Sequence, residues 1–537
     1  MALLDLYAWM RRPRYKAVAG GLVSTIVAAV LFSRVGIDGF LYRDEAIYAY
    51  GGQQMMHGVA PYASIFDPKG PAATIVCGAA AALAHLLGFD DLTVMRVAFY
   101  ACAVLTALAV YLLALQLWHS VIAAVVAATV FASFRGYAQD ALRGPDAHTI
   151  GPLFAVVCMW LTVRRNWFWA AFAGSLATLV KQTYLPYPIL VVVLAVMGSP
   201  GRRGRALAAS ALGALAPIAL VSLYFVVEHS FDNFVVSAIV FPVIGLHRAV
   251  PHTIPQRWGI IASTVSNQYQ FSGILFFLGL VLLAAIGIGI VIRRRTRTTV
   301  VQPVAVIVGI TLLAQAVYVS LDYLSYDDLY QMLPYGALGF AAAAALVLRR
   351  RRTSPRARSL LIGGTTAALA ALVVLSCIWF TRDPFNDHAL PEQRATGCAL
   401  DRIVPRNTQL YALGDAVPLV LTHRRNPDPY IYLESGVTGW KIDHTPGGFA
   451  GWVSQVTDPR VSTIIVQGWA GKRVEPMEAA IRRAGYRPGW VGEWYGFFDH
   501  AALANARAEH MRVTIWPSPW PETSSGASFR EQRCGSG

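Results

Sequence analysis

Long apolar stretches alternate with short polar segments from the N-terminus to about residue 380. Each stretch has about 15 to 25 residues, the length that an α-helix needs to cross the hydrocarbon layer of a membrane. The pattern therefore predicts a polytopic α-helical membrane protein. The apolar blocks run over 17–35, 72–88, 93–117, 120–134, 149–163, 167–180, 184–198, 206–228, 271–292, 299–321, 332–348 and 359–380.

Arginine clusters between these blocks predict the topology, because basic residues collect on the cytoplasmic side of membrane proteins. If all twelve blocks span the membrane, Arg164 and Arg165 fall outside, against this rule. Treating the short block 72–88 as a helix at the membrane interface removes the conflict. About eleven transmembrane helices then remain, with the N-terminus in the cytoplasm. The outward segments are 36–92, 135–148, 181–184, 229–270, 322–331 and everything after 381.

The pattern changes after the last apolar block. Short apolar runs at 408–415 and 461–468 read as buried strands, and a helical stretch at 475–484 precedes a strand pair around 490–498. This alternation predicts a small extracytoplasmic α/β domain. The predicted organisation is a transmembrane domain over 1–380, an α/β domain over 381–514 and a disordered Pro-, Ser- and Gly-rich tail over 515–537.

Composition agrees with a membrane protein and excludes an ordinary soluble one. Hydrophobic residues make up 55% of the 537 and charged residues only 14%, whereas soluble proteins have roughly a quarter charged residues. The net charge of +15 raises the question of nucleic-acid binding. Much of that charge, however, lies in the short clusters between apolar blocks, where anionic lipid headgroups are the expected partner. We therefore expect no nucleic-acid partner.

Candidate chemistry begins directly after the first apolar block, with Asp44 and Glu45. The segment 43–57 has helical periodicity and ends before Gly58. Adjacent helix positions point about 100° apart, so only one of the two carboxylates can act as a base on one small target. The alternative is that Asp44 is the N-cap of an amphipathic surface helix.

Two lysines in the outward segments are candidates for binding a phosphate. Lys69 lies in a turn between Pro68 and Pro71, and such a held ammonium can bind phosphate as a point charge. Lys181 interrupts apolar sequence at the outward end of a block, where an ionisable residue is functional by default. The alternative for both is a lysine that extends to the headgroups and anchors its helix.

The remaining candidates lie in two other outward segments. Asp146 and His148 precede an apolar block, where they could orient an acceptor or where Asp146 could cap the helix. The last group comprises Asp322, Asp327, Asp328, Tyr330 and Gln331. Acids, lysines and aromatic residues on one membrane face suit a reaction between a sugar and a lipid phosphate.

Three motifs of the first outward segment resemble a known family: Asp44-Glu45-Ala-Ile-Tyr48, Gly58-Val-Ala-Pro61-Tyr62 and Asp67-Pro-Lys69-Gly-Pro71. They are similar to the first outward loop of glycosyltransferases with the GT-C fold. The relevant branch includes the protein O-mannosyltransferases and the enzyme that adds aminoarabinose to lipid A. Further matches are Arg96, Asp146, Lys181 and the run from Leu329 to Pro334, where the family often has His-Tyr in place of Leu329-Tyr330 and Thr in place of Val180.

The resemblance implies an inverting transfer of a sugar from a polyprenyl-phosphate carrier to a hydroxyl of an extracytoplasmic lipid, cell-wall glycan or protein. Asp44 would be the catalytic base, and Lys69, Lys181 and Arg43 would bind the donor phosphate. The other expected substrate contacts are Glu45, Tyr48, Asp67, Asp146, His148, Tyr330 and Gln331.

No metal ligand set and no cofactor are predicted, although a divalent cation stays open. The expected location is a bacterial plasma membrane, with the active site outside the cytoplasm. Two other functions remain as alternatives. A transporter or flippase of a glycolipid would need ionisable residues near mid-bilayer and usually a repeated architecture. A non-catalytic scaffold would use the α/β domain to bind glycans or proteins.

Overall fold

A computed structural model describes residues 13–199, 201–245, 253–294, 303–323, 325–349, 355–382, 389–433, 436–469 and 472–509. The chain folds into two compact units. The helical unit comprises Met1–Ile37, Arg96–Leu223 and His252–Asn386. The mixed unit comprises Asp38–Met95, Tyr224–Pro251 and Asp387–Gly537. The first outward segment thus groups with the C-terminal residues, and the domain limits drawn from the sequence stay a prediction.

The helical unit is built from α-helices with a few 3₁₀ and π-helical turns. In chain order they are α1 (Pro13–Ser33), α4 (Asp91–Trp118, whose first five residues belong to the mixed unit), α5 (Val121–Ala132), α6 (Arg135–Arg143), α7 (Ala147–Val163), α8 (Trp167–Val180), a 3₁₀ turn (Gln182–Tyr184), α9 (Pro186–Met197), α10 (Arg203–Val227, whose end belongs to the mixed unit), α13 (Ile254–Thr264) with a π-helical turn (Val265–Tyr269), α14 (Phe271–Arg294), α15 (Pro303–Asp322), a 3₁₀ turn (Tyr326–Leu329), α16 (Leu333–Arg349) and α17 (Pro355–Thr381).

Among the described residues, five helices are long and apolar enough to cross a membrane. They are α1, α4, α10, α14 and α17, and α5 with α6 makes a sixth if that bent pair is one span. Several of the predicted blocks appear as shorter apolar helices of 10–17 residues, including α3 (Ala72–Leu87) of the mixed unit. The fold is that of a membrane protein, while the predicted count of eleven spans and the interfacial position of α3 stay predictions.

The outward segment 135–148 contains a helix that the sequence analysis did not predict. Its first nine residues form α6, which is bent by 70° from α5. Phe134 lies at the break and packs edge-to-face against Phe131 and Phe276. All nine residues of α6 are buried, and a helix provides the internal hydrogen bonds that buried backbone needs.

The mixed unit combines helices with one sheet. Its elements are α2 (Arg43–Met56), α3, α11 (Phe231–Val235) with a π-helical turn (Val236–Val240), α12 (Phe241–Ile244), α18 (Ala389–Ile403), β1 (Gln409–Leu413), α19 (Val417–Thr422), α20 (Val437–His444), α21 (Gly448–Val456), β2 (Val461–Val466), α22 (Val474–Arg483), β3 (Arg487–Val491), β4 (Trp494–Phe498) and α23 (His500–Ala508).

The sheet has the strand order β1-β2-β4-β3. β1 and β2 run parallel, whereas β4 is antiparallel to both β2 and β3. All six residues of β2 are buried, as an apolar run in the middle of a sheet should be. The strands predicted at 408–415 and 461–468 are confirmed as β1 and β2, and the predicted pair around 490–498 is confirmed as the β3–β4 hairpin.

Helices α2 and α3 pack backbone against backbone through small residues. A Cβ at Gly52 would lie 2.5 Å from the Cβ of Cys77 and 2.9 Å from the backbone nitrogen of Gly78. A Cβ at Gly51 would lie 2.6 Å from the side chain of Thr74. Glycine in a helix normally costs about 1 kcal/mol relative to alanine. Here it permits the close approach that holds α2 on α3.

We predict that Gly52→Ala destabilises the protein by about 1–3 kcal/mol, because the added methyl group overlaps backbone atoms that cannot move aside. Thermal unfolding of the detergent-solubilised protein measures the change. Gly287→Ala is the matched control, since Gly287 also lies inside a helix and a Cβ there would meet nothing within 4 Å. A melting temperature for Gly52→Ala equal to that of the control would contradict the predicted overlap.

Candidate active site

The first turn of α2 carries the adjacent carboxylates predicted from sequence. Tyr42 is the N-cap residue, and its backbone N–H donates to Glu45 Oε2 at 3.0 Å. Glu45 is buried, whereas the side chain of Asp44 is 45% exposed. The alternative that Asp44 caps the helix is therefore wrong, because Glu45 takes the capping contact. Asp44 is therefore the more exposed carboxylate of the pair.

Arg43 is held by the residues that follow β2 and by a neighbouring aromatic ring. Its Nη1 donates to the carbonyl oxygen of Gly468, and its guanidinium carbon lies 4.7 Å from the ring centroid of Tyr432. Its Nε lies 3.8 Å from Asp44 Oδ1. Gly468 has a φ of 67°, and a Cβ there would lie 2.8 Å from Arg43 Cδ. Arg43 thus fixes the beginning of α2 against the end of a strand.

Asp415 lies near the same place, after the end of β1, and sequence analysis missed it. Its Oδ1 accepts the N–H of Val417 at 2.9 Å. Burial raises the pKa of this carboxyl to about 7, with Glu493 and Asp44 adding to the rise and the Val417 N–H and Arg43 opposing it. The sequence could have indicated Asp415 as a candidate, because it comes at the end of a predicted strand. Ligands often bind beyond the carboxyl ends of parallel strands.

Lys69 is held in a defined turn that also contains Asp67. The Lys69 N–H donates to Asp67 Oδ1 at 3.1 Å, and the Tyr62 hydroxyl donates to the Lys69 carbonyl at 2.7 Å. The Lys69 ammonium lies 5.5 Å from the ring centroid of Tyr48. The structure therefore brings the predicted residues Tyr48, Asp67 and Lys69 together within the mixed unit.

A second group lies in the helical unit, around His148 near the beginning of α7. Asp146 caps this helix, since its side chain accepts the His148 N–H at 3.1 Å. The His148 Nδ1 lies 3.0 Å from Asp146 Oδ1 and 2.8 Å from Asp327 Oδ2. The interpretation of Asp146 as an N-cap is therefore confirmed, while the orientation of an acceptor by Asp146 and His148 stays a prediction.

Lys181, which follows α8, completes this group. Its ammonium lies 2.6 Å from Asp328 Oδ1 and 2.9 Å from His148 Nε2. Its nitrogen is also 5.2 Å from the ring centroid of Tyr318. Asp327 and Asp328 were noted as part of an outward group in the sequence but were not predicted as site residues. Their position just before the predicted site residues Tyr330 and Gln331 could have indicated them as candidates.

Among the described residues, Asp146, His148 and Asp327 are the three side chains whose ligand atoms, all within 4.8 Å of one another, could hold a metal ion. Carboxylate and imidazole ligands suit ions such as Mn²⁺ and Zn²⁺. The two Nδ1–oxygen distances are also hydrogen-bond distances, so a proton on His148 Nδ1 accounts for the geometry. A metal would have to replace that proton.

The other two predicted residues of the helical unit have structural contacts. The Tyr330 hydroxyl contacts Asp140 Oδ2 and the Gly136 carbonyl, each at 2.5 Å. The Gln331 Oε1 accepts the Thr183 hydroxyl at 3.1 Å. Asp140 was not predicted, since its position inside α6 followed from a helix that the sequence analysis did not foresee. The His148 group and the Asp44 group belong to different units.

Comparison with solved structures shows that this chain has the GT-C fold. The solved structures it resembles include the lipid A aminoarabinose transferase ArnT from Cupriavidus metallidurans in the apo state, with a TM-score of 0.62 and 15% identity over 91% of this chain and 99% of that one. The same enzyme bound to undecaprenyl phosphate has a TM-score of 0.60 and 14% identity over 90% and 97%.

An oligosaccharyltransferase from Archaeoglobus fulgidus, tethered to an acceptor peptide, has a TM-score of 0.50 and 12% identity over 92% of this chain and 74% of that one. No model of a protein family and no curated protein matches the sequence. At such low identities the likeness establishes the fold, and the expectation of a GT-C fold from the first-loop motifs is confirmed.

We predict that Asp415→Asn makes the protein more stable above pH 7. Asparagine keeps the acceptor for the Val417 N–H and removes the buried charge. Because the pKa is raised to about 7 in the folded state, the wild-type protein loses stability as the pH rises from about 4 to about 7. The melting temperatures of the two proteins are compared at about pH 8 and at about pH 5. The difference between the proteins should be larger at about pH 8. Equal differences at both pH values would contradict the buried carboxyl.

Proposed function

We propose that this protein is an inverting glycosyltransferase that moves a sugar from a polyprenyl-phosphate carrier to a hydroxyl group of an extracytoplasmic acceptor. The observation that carries the proposal is the exposed carboxylate of Asp44 in the first turn of α2, with Arg43 beside it. ArnT, which has the same fold, has been solved with undecaprenyl phosphate. The oligosaccharyltransferase was solved with an acceptor peptide.

Asp44 is the general base of the proposed reaction. The acceptor hydroxyl attacks the anomeric carbon while its proton passes to an Asp44 carboxylate oxygen. The bond from the anomeric carbon to the phosphate oxygen breaks, and the polyprenyl phosphate leaves with both bonding electrons. A carboxylate is a weak base for an alcohol, but the hydroxyl becomes acidic as the new bond forms.

Lys69 neutralises the departing phosphate in this proposal. Its turn is fixed by Asp67 and Tyr62, so the ammonium needs little reorganisation to meet a developing negative charge. Arg43 acts mainly by holding the first turn of α2, since its guanidinium is engaged by Gly468 and Tyr432. Tyr48 and Asp67 line the same segment, and Glu45 maintains the helix start.

Lys181 has a different environment and a different proposed role. Its ammonium already meets Asp328 and His148 at hydrogen-bond distance, so a phosphate oxygen would have to share or replace one of these contacts. Asp146, His148, Tyr330 and Gln331 stay candidates for substrate binding in this proposal. We place the protein in a bacterial plasma membrane, with Asp44 and the sheet outside the cytoplasm.

We predict that Asp44→Asn abolishes transfer of sugar from a polyprenyl-phosphate donor, because the amide cannot accept the proton; general-base groups contribute about 10²- to 10⁴-fold to such rates. Purified protein would be incubated with a panel of radiolabelled polyprenyl-phosphate sugars and membrane extract. Asp232→Asn is the matched control, since Asp232 is also an exposed acid in the first turn of a helix. Turnover by a folded Asp44→Asn protein at the control rate would refute the assignment.

We predict that Gly468→Ala reduces transfer at least tenfold, because its methyl group would displace Arg43 and with it the first turn of α2; small misplacements of catalytic groups can cost about 10²-fold. Gly485→Ala is the control, since Gly485 also has a positive φ, of 96°, but a Cβ there meets nothing within 4 Å. Steady-state rates of transfer are measured for both variants. A larger loss in Gly468→Ala than in Gly485→Ala is the effect of the contact with Arg43, because both variants carry the backbone strain. Equal losses in the two variants would indicate strain alone.

A further inference from the structure

A polar cavity of about 340 Å³ lies in the mixed unit at the amino ends of β1 and β2. β1 contributes Gln409 and Tyr411, and Asp458 and Arg460 come directly before β2. The rest of the lining consists of 427–430, with Lys441 of α20 and Gln455 of α21. This volume lies within the range of cavities that bind small molecules. The residues that the proposed transfer reaction uses do not line it.

The floor of the cavity is a buried ion pair. Lys441 and Asp428 are each only 6% exposed, and Nζ lies 2.5 Å from Asp428 Oδ2. The Tyr411 hydroxyl donates to the same oxygen at 2.8 Å, and Lys441 donates to Gln455 Oε1 at 2.9 Å. Apolar residues of similar size usually give equal or greater stability than such a pair. The presence of the pair at a cavity floor therefore points to recognition of a ligand.

The charges of the cavity determine which ligand it fits. Lys441 is balanced by Asp428 on the floor, and Arg460 by Asp458 on the rim, where Nε lies 2.9 Å from Oδ1. The four charged groups sum to zero, so the cavity favours a neutral ligand. It offers hydrogen-bond donors and acceptors next to each other. A hydroxyl group both donates and accepts, so a ligand with several hydroxyl groups can satisfy such a surface.

The cavity wall also contacts the loop that carries Lys69. The Phe66 N–H donates to the Pro429 carbonyl at 2.8 Å, and the Phe66 ring stacks on Tyr430 with centroids 4.7 Å apart. Phe66 directly precedes Asp67 of the Lys69 turn. One segment of chain, 427–430, therefore separates the cavity from that loop.

We propose that this cavity binds a neutral saccharide residue of the acceptor. The proposal rests on the proposed function, because it assumes that the acceptor carries sugar. Asp428, Lys441 and Gln455 hold the hydroxyl groups from the floor, and Pro427, Pro429 and Tyr430 supply apolar contact for the C–H face. The site adds affinity for the acceptor and takes no part in bond breaking.

The test measures binding of neutral mono- and disaccharides to the full-length protein in nanodiscs by saturation-transfer NMR. The double variant Asp428→Leu/Lys441→Met removes both charges together, so it leaves no unpaired charge in the cavity, although the Tyr411 hydroxyl and the Tyr430 N–H lose their acceptor. We expect it to weaken saccharide binding at least tenfold, because hydrogen bonds to charged groups are lost. Asp401→Leu/Arg424→Met is the matched control, since it removes an ion pair of the mixed unit, 2.7 Å long, that does not line the cavity.

Further variants distinguish a loss of saccharide binding from misfolding and from a loss of the transfer reaction. If the double variant does not fold, Gln409→Ala and Arg460→Ala alter the rim, and each should weaken saccharide binding. Asp44→Asn should lose transfer but keep saccharide binding, whereas the cavity variants should raise the KM for the acceptor and leave kcat unchanged. Failure of every neutral saccharide to bind the wild-type protein, or binding of inorganic phosphate in their place, would overturn the proposal.

Discussion

Buried charges remain in a protein only where opposite charges or hydrogen-bond partners meet them, and this constraint organises the helical unit around His148. Asp146 begins α7, Lys181 follows the end of α8, and Asp327 and Asp328 belong to a 3₁₀ turn before α16. Contacts of 2.6 to 3.0 Å join these segments at one place. Because removal of one partner would leave a charge with poor solvation, the helix ends are held in register by the same side chains that could meet a substrate.

In the mixed unit, the beginning of α2 is held in position by a single arginine. Gly468, which lies just after β2, and the Tyr432 ring hold the first turn of α2 through Arg43. The glycine after β2 exposes a backbone carbonyl at close range, which a larger residue would obstruct. Asp415 is retained nearby although its burial opposes ionisation. Natural proteins accept such local losses of stability mainly where function requires them.

Apolar block length and strand-like runs were enough to predict the helical membrane fold and the strands β1 and β2, because burial patterns depend on local sequence. The first-loop motifs led to the prediction of Asp44, Lys69 and Tyr48 as site residues, and the structure brings the Lys69 ammonium to 5.5 Å from the ring centroid of Tyr48. Contacts between residues far apart in sequence could not be predicted from local sequence patterns. Arg43 meets Gly468, and Lys181 meets Asp328, only because of tertiary packing.

The contact between Arg43 and Gly468 has a consequence for how such sequences diverge. The glycine satisfies two demands, a positive φ and space for the arginine side chain. In a lineage with a short residue in place of Arg43, position 468 would no longer need to leave space for the arginine side chain. Asparagine could then occupy position 468, since it tolerates positive φ better than most other residues. Positions 43 and 468 should therefore vary together across homologues, although they lie 425 positions apart in the chain.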